Sequence, residues 1–165
     1  TPPNPATVRG KARLHAEQAW QEACGAEIFR IAGIYGPGRN VFKSLYDGSA
    51  RIIDKPNHLF NRIHQSDISQ IIMAAMQSPE RGRILNLADM HPASQADLFH
   101  FAASLAGLTP PEPIPLEQAN LSEMGRSFYT AQRKIRSKIL GQTLRYSFTY
   151  PDYKAGLRAL FEAGE

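Results

Sequence analysis

The chain has 165 residues, of which 42% are hydrophobic and 21% charged, so it should bury a core and is not a disordered tail. No apolar run approaches the ~18 residues that a membrane span needs, and the polar, Pro-rich start lacks a signal-peptide pattern. A single cysteine, Cys24, excludes an internal disulfide and favours a reducing compartment. We therefore expect a cytoplasmic protein with no membrane partner.

The formal net charge of +4 is concentrated near the C-terminal end. Residues 1–125 contain 11 Lys/Arg against 12 Asp/Glu, whereas residues 126–165 contain 8 against 3. A basic cluster of this kind could contact phosphate or nucleic acid, or form a solvated helix face; its members are Arg133, Lys134, Arg136 and Lys138. The sequence contains no helix-turn-helix, zinc-finger or RNP-like motif, so we predict no nucleic-acid partner. The histidines show no ligand spacing, so we also predict no metal site.

The first predicted elements are a helix, a strand and a turn. Residues 11–24 predict a helix with one apolar face, formed by Ala12, Ala16, Ala19, Trp20, Ala23 and Cys24. Residues 27–32 are rich in branched and aromatic side chains and predict a buried strand. Gly33, Gly36 and Gly38 follow and predict a turn over 33–38.

Helices and short strands alternate through the rest of the chain. We expect a short helix within 39–50, a brief strand at 52–53 and a helix with Ser66 as N-cap. A strand over 83–88 precedes a helix that Ser94 and Asp97 open as a capping box and Gly107 closes. A Pro-rich loop is expected over 108–120, a helix near 131–140 ending at Gly141, and a last helix opened by Pro151 and Asp152. The inward residues of that last helix should be Tyr153, Leu157, Leu160 and Phe161.

This alternation predicts an α/β fold with parallel strand pairing. So few strands make a thin sheet, and parallel sheets normally have more strands and both faces covered. We therefore interpret residues 1–165 as a single partial domain, the later half of a larger α/β unit.

Five segments carry a resemblance to a known family. Residues 30–39, Arg-Ile-Ala-Gly-Ile-Tyr-Gly-Pro-Gly-Arg, resemble a strand-and-turn motif of the extended short-chain dehydrogenase/reductases. More narrowly, they resemble the NAD-dependent epimerase/dehydratase family. Residues 1–5, 62–67, 84–89 and 150–157 resemble further segments of that family in the same order.

The resemblance implies a fold, a cofactor and a substrate class. Residues 1–107 would form late Rossmann-like strands and helices with substrate-side insertions, and 108–165 a small, mainly helical substrate subdomain. The family implies NAD or NADP, a nucleotide-sugar-like substrate and hydride transfer at a sugar carbon, and it allows a homodimer. The implied cofactor-binding residues are Arg30, Ala32, Gly33, Ile34 and Tyr35. The implied substrate-binding residues are Arg39, Arg62 and His64.

The family's acid/base pair is missing from the sequence. The family uses a Tyr four residues before a Lys on a helix, and the register set by Glu17 puts Arg9 and Arg13 at these positions. Arginine stays protonated and cannot act as a base at neutral pH, so no catalytic residue is predicted. The Gly-rich G-x-G-x-x-G turn that binds the pyrophosphate does not occur either. The chain could therefore belong to an active enzyme or to a degenerate, cofactor-binding sensor or scaffold.

Six residues allow a purely structural interpretation beside the functional one. Arg9 and Arg13 could bind a phosphate or form a solvated basic face. Tyr35 could lie beside a cofactor or be a half-buried structural tyrosine. Arg30, within an apolar strand, needs a ligand phosphate or a carboxylate such as Glu17 or Asp67. His64 and Asp67 favour a satisfied structural pair, with Asp67 capping a helix or accepting a bond from His64.

Overall fold

The computed structural model describes residues 3–5, 7–130, 135 and 137–165, which form an α/β fold with three parallel strand pairs. β1 (Ile28–Ile31) pairs with β5 (Ile84–Leu87), and Ile28 lies opposite Ile84. The other pairs are β2 (Gly33–Tyr35) with β4 (Arg62–His64) and β3 (Ile52–Asp54) with β6 (Pro113–Pro115). The predicted fold class is therefore confirmed.

Helices connect and flank these strands. Within the described residues they are α1 (Val8–Cys24), α2 (Phe42–Tyr46), α3 (Gln65–Gln77), α4 (Gln95–Ala106), α5 (Glu123–Thr130), α6 (Lys138–Gln142) and α7 (Tyr153–Glu162). The predicted capping box at α4 is present, because Ser94 and Asp97 each accept a backbone hydrogen bond from the other. Gly107 ends the helix with φ 67°, a left-handed conformation that glycine adopts without strain. The described helices include none long and apolar enough to cross a membrane.

Two apolar clusters form the core. One joins β2, α2, α4 and α7 and contains Tyr35, Phe42, Leu98, Ala102, Tyr153, Leu157 and Leu160. The other joins β4, α3, β5 and α6 and contains Ile63, Ile71, Ala75, Leu85, Leu87 and Leu140. Phe161, predicted to face inward, is 37% exposed, although its ring lies 5.9 Å from that of Phe42.

The predicted apolar face of the first helix is wrong. α1 begins at Val8, three residues earlier than expected, because the Thr7 hydroxyl accepts a hydrogen bond from Gly10 N and caps the helix. The residues of the predicted face are exposed, Trp20 to 63%. Within α1, all of which the structure describes, Glu17 alone is buried, because its carboxylate meets an arginine of β1.

Three further boundaries differ from prediction. The predicted turn over 33–38 begins as strand β2, because Gly33–Tyr35 pair with β4. The N-cap of α3 is His64 and not Ser66, since the His64 ring accepts the Ser66 N–H. The predicted loop over 108–120 contains β6. Of the predicted helix near 131–140 only the final part is described, as α6, and the basic cluster Arg133, Lys134 and Arg136 lies outside the described residues, as does the side chain of Lys138.

Candidate functional site

A cleft of about 520 Å³ lies at the C-terminal end of β1. Its walls come from the first turns of α1, the link between β1 and β2, the segment 58–61, and α5. Arg9 and Arg13 line it together with Ala32 and Gly33. Ligands of parallel α/β sheets bind at the carboxyl ends of the strands, which is where this cleft opens.

Arg9 and Arg13 are one helical turn apart on α1 and share the wall of this cleft. Arg13 Nε lies 3.2 Å from Glu17 Oε1, and the Arg13 side chain is 68% exposed. Aromatic and amide groups lie elsewhere in the lining, on Phe60, Asn61 and Phe128. The helix therefore contributes positive charge to a cleft whose other described lining residues include no lysine, arginine, aspartate or glutamate.

Arg30 is engaged by the buried Glu17. Its Nη2 and Nε lie 2.6 and 3.0 Å from Glu17 Oε2. Burial by itself raises the pKa of Glu17, but the hydrogen bonds from Arg30 and Arg13 outweigh it and lower this pKa overall. Of the partners considered for Arg30 from the sequence, Glu17 is therefore the one that the structure shows. Its predicted contact with a cofactor stays a prediction.

A second cleft, of about 260 Å³, adjoins the first at Gly33. It brings together two predicted sets of residues: Gly33, Ile34 and Tyr35 from the cofactor set, and Arg39 and Arg62 from the substrate set. Leu98 and Leu157 complete an apolar side of it. Of the eight residues predicted from the family motifs, six thus line one or both clefts: Ala32, Gly33, Ile34, Tyr35, Arg39 and Arg62.

Arg62 is held in place by main-chain oxygens. Its Nη1 donates to the carbonyls of Ala93 at 3.0 Å and Phe60 at 3.3 Å, and its Nη2 donates to Ser94 at 3.4 Å. Burial lowers the pKa of Arg62, and the charge of Asp89 opposes that shift. A guanidinium fixed on three carbonyls keeps its orientation at the cleft wall whether or not a ligand is present.

Tyr35 is buried and packs against α7. Its hydroxyl donates to the Asp152 carbonyl at 3.4 Å, and its ring lies directly over Gly156, where a Cβ would come within 2.6 Å of Cε2. Burial raises the pKa of Tyr35, and the neighbouring carboxylates of Asp89 and Asp67 raise it further. The phenol is therefore protonated at neutral pH, and its contacts fit the structural interpretation of this tyrosine.

His64 lines neither of these clefts. It is 3% exposed, its Nδ1 accepts the Ser66 N–H at 3.2 Å, and its ring lies 4.0 Å from that of Tyr150. Burial lowers the pKa of His64, so the ring is neutral at pH 7. These contacts fit a structural role for His64, and its predicted contact with substrate stays a prediction.

The expected contact between Asp67 and His64 is replaced by a different one. Asp67 is fully buried and accepts hydrogen bonds from Tyr146 Oη at 2.6 Å, Thr149 N at 2.8 Å and Tyr150 N at 3.2 Å. The carboxylate thus attaches residues 146–150 to α3, and Tyr150 in turn covers His64.

Asp89 is a notable residue that sequence reasoning gave no role. It follows β5, is 2% exposed, and its Oδ2 meets no donor among the described residues. Burial raises its pKa to about 7, although the His91 N–H and the charge of Arg62 oppose the shift. Its backbone N donates to the Arg62 carbonyl at 2.7 Å. The sequence shows an Asp after a predicted strand, but no local pattern indicates that its carboxylate is buried.

Comparison with known proteins gives relatives in sequence and in structure. No protein-family model matches the chain. Protein YeeZ of Escherichia coli strain K12 is 31% identical over 115 residues, which are 68% of this chain and 40% of that protein. A functionally unknown conserved protein from Silicibacter pomeroyi has a solved structure that is 39% identical, with a TM-score of 0.94 over 99% of this chain and 58% of that one.

More distant structures share the fold. UDP-glucuronic acid 4-epimerase from Bacillus cereus, solved with UDP-glucuronic acid and NAD, is 18% identical, with a TM-score of 0.75 over 98% of this chain and 53% of the epimerase. The chain thus spans between two fifths and three fifths of the length of these relatives. Its structural neighbours include members of the NAD-dependent epimerase/dehydratase family, and its own architecture is the Rossmann-like α/β fold that they share.

Proposed function

We propose that this chain belongs to the NAD-dependent epimerase/dehydratase family and forms the later part of a protein that binds NAD or NADP. The two adjoining clefts would hold the nicotinamide end of the cofactor and a nucleotide-sugar-like substrate. Ala32, Gly33, Ile34 and Tyr35 would border the cofactor, and Arg39 and Arg62 the substrate.

One observation supports this proposal above the others. Residues chosen from sequence motifs alone line two clefts that meet at Gly33, beside the C-terminal end of β1. Parallel α/β sheets bind ligands at that end of their strands. The bulk of the fold is also shared with an epimerase that was solved with NAD.

Calorimetric titration of the complete protein with NAD, NADH, NADP and NADPH tests the cofactor. We expect saturable heat with at least one of the four nucleotides. Heat from none of them would refute the proposal. A Gly33→Val variant locates the site, because a Cβ at Gly33 already lies 3.2 Å from the Asn61 carbonyl and a larger side chain would narrow both clefts. Unchanged affinity in this variant, with the fold intact by circular dichroism, would move the cofactor elsewhere.

The second candidate function is a cofactor-binding sensor or scaffold without turnover. The sequence interpretation that favours it assigns Arg9 and Arg13 to the positions of the family's Tyr and Lys, and neither can accept a proton at neutral pH. In addition, Arg13 contacts Glu17, so its charge is partly compensated within α1. Hydride transfer at a sugar carbon needs a base for the hydroxyl proton, and these positions provide none.

The two candidates differ in turnover. A sensor or scaffold binds NAD(H) or NADP(H) but converts no member of a nucleotide-sugar panel, as measured by nicotinamide absorbance and by product analysis. Turnover that is lost in an Arg9→Gln variant would contradict the sensor hypothesis and support an enzyme that uses Arg9 for binding. Turnover that survives this substitution would place the proton transfer on another residue.

A further inference from the structure

Among the described residues, the formally charged side chains that line the larger cleft are all positive. Its described lining residues include two arginines, Arg9 and Arg13, and no aspartate or glutamate. His58, also in the lining, is neutral at pH 7 because burial and the nearby charge of Lys55 lower its pKa. Ligand pockets usually combine apolar walls with a few convergent polar groups, and here two of those groups, Arg9 and Arg13, are cationic.

The fold compensates this charge only in part. Glu17 is the carboxylate that Arg13 contacts, and it makes its two shorter contacts with Arg30 instead. Among the described residues, no ion pair includes Arg9. One carboxylate is therefore shared by two arginines, while a third guanidinium stands one turn away on the same helix. The wall keeps a net positive charge that an anionic ligand would neutralise.

We propose that this cleft binds a small ligand through an oxyanion group, a carboxylate or a phosphate, that Arg9 and Arg13 hold together. The proposal rests on the function proposed above and specifies its ligand: the acidic group lies where the family's Tyr and Lys would act on a neutral hydroxyl. Guanidinium groups present a planar fork of donors that matches both oxyanions. Phe60 and Phe128 provide apolar wall for the remainder of the ligand, and the volume of about 520 Å³ suits a small molecule.

Binding of simple anions to the complete protein tests this inference. The probes are inorganic phosphate and malonate, each titrated at low ionic strength by calorimetry and by the shift of the thermal unfolding midpoint. We expect saturable binding of at least one, and the better of the two identifies the oxyanion. Saturation by neither, in a protein that is folded by circular dichroism, would overturn the proposal.

Single substitutions assign the binding to the two arginines. Arg9→Gln and Arg13→Gln should each weaken the preferred anion about tenfold, since each removes a hydrogen bond between charged groups. Lys11→Gln is the matched control: it removes the same charge from the same helix, but Lys11 is exposed and does not line the cleft. Arg9→Lys should recover part of the affinity. Equal weakening in Lys11→Gln would reduce the effect to overall charge and refute the site.

The anion titration and the cofactor titration can succeed or fail independently of each other. Anion binding that depends on Arg9 but not on Lys11 supports the inference even if all four nicotinamide nucleotides fail to bind. Conversely, a nicotinamide nucleotide could bind while the Arg9 and Arg13 substitutions leave anion affinity unchanged. That result would support the cofactor proposal and overturn this one. Because Arg13 also contacts Glu17, Arg9→Gln is the decisive variant: no ion pair among the described residues depends on it.

Discussion

The attachment of residues 146–150 to α3 depends on one buried carboxylate, that of Asp67. Oδ1 accepts the Tyr146 hydroxyl and the Thr149 N–H, and Oδ2 accepts the Tyr150 N–H. In Asp67→Asn, one oxygen becomes an NH₂ group that faces a donor. One hydrogen bond is lost and the other two lose their charge. We expect the free energy of unfolding to fall by about 2–4 kcal/mol, since a hydrogen bond to a charged group contributes about 1.5–3 kcal/mol.

Two further variants remove either one or all three of the hydrogen bonds to Asp67. Tyr146→Phe removes a single partner, and the loss should be about 1–2 kcal/mol. Asp67→Ala leaves three donors unpaired, of which the Tyr146 hydroxyl can turn to Gln70 Oε1, 3.4 Å away. Its loss should therefore be about 3–5 kcal/mol. Because Asp67→Asn weakens the contact that Tyr146→Phe removes, the double variant should lose less than the sum of the two single losses.

Urea unfolding followed by circular dichroism measures each of these free energies. Asp97→Asn is a control on an exposed carboxylate, which accepts from Ser94 N and Ser94 Oγ at the start of α4, and it should cost about 1 kcal/mol. If Asp67→Asn costs no more than this control, or if the effects of Tyr146→Phe and Asp67→Asn simply add, the carboxylate does not hold the segment and the reasoning is refuted.

Three further predictions concern packing, pH and a buried ion pair. Gly156→Ala should lower the free energy of unfolding by about 1–3 kcal/mol, because the new Cβ overlaps the Tyr35 ring. The control is Gly141→Ala on α6, where a Cβ meets open space, and it should raise the free energy of unfolding by up to about 1 kcal/mol. Equal effects of the two substitutions in urea unfolding would contradict the predicted overlap. Asp89 keeps its proton in the fold up to about pH 7 but loses it near pH 4 when unfolded, so its contribution to stability should decrease as pH rises from 4 to 7. Asp89→Asn should remove that slope, and identical slopes for both proteins would show that Asp89 does not titrate in this range. Glu17→Gln should lower the free energy of unfolding by about 1–3 kcal/mol, because it weakens the ion pair with Arg30. Arg13→Gln should lower it by under about 1 kcal/mol, because the Arg13 side chain is exposed. A larger loss of thermal stability in Arg13→Gln than in Glu17→Gln would refute this assignment.

The sequence predicts the fold class and several of the residues that line the two clefts, because local signals carry both. Helix caps such as Ser94 with Asp97 act within one turn, and alternation of strands with helices implies parallel pairing without knowledge of distant contacts. The motif around Gly33 likewise places Ala32 and the residues of β2 next to one another in sequence, so these predicted residues line two adjoining clefts.

The predictions that failed depended on distant contacts. The small residues and Trp20 of α1 have helical spacing, but whether a face is covered depends on what packs there, and in this fold the covered residue is the charged Glu17. The partners of Asp67 are some eighty residues away along the chain, beyond the reach of any local pattern. The same is true of Asp89, whose altered acidity arises from burial beneath elements that are not its neighbours in sequence.

The way in which α1 is attached has a consequence for motion. Among its seventeen residues only Glu17 is buried, and among the described residues one ion pair, Arg30 with Glu17, joins this helix to β1. Dissolved ions screen exposed charges over a distance of about 10 Å at 0.1 M salt, and they screen a largely buried pair such as this one much less. Because α1 buries one residue whereas α3 buries three and α4 four, amide hydrogens of α1 should exchange with solvent sooner than those of α3 or α4. Since Arg9 and Arg13 belong to this helix, local opening of α1 would also displace one wall of the larger cleft.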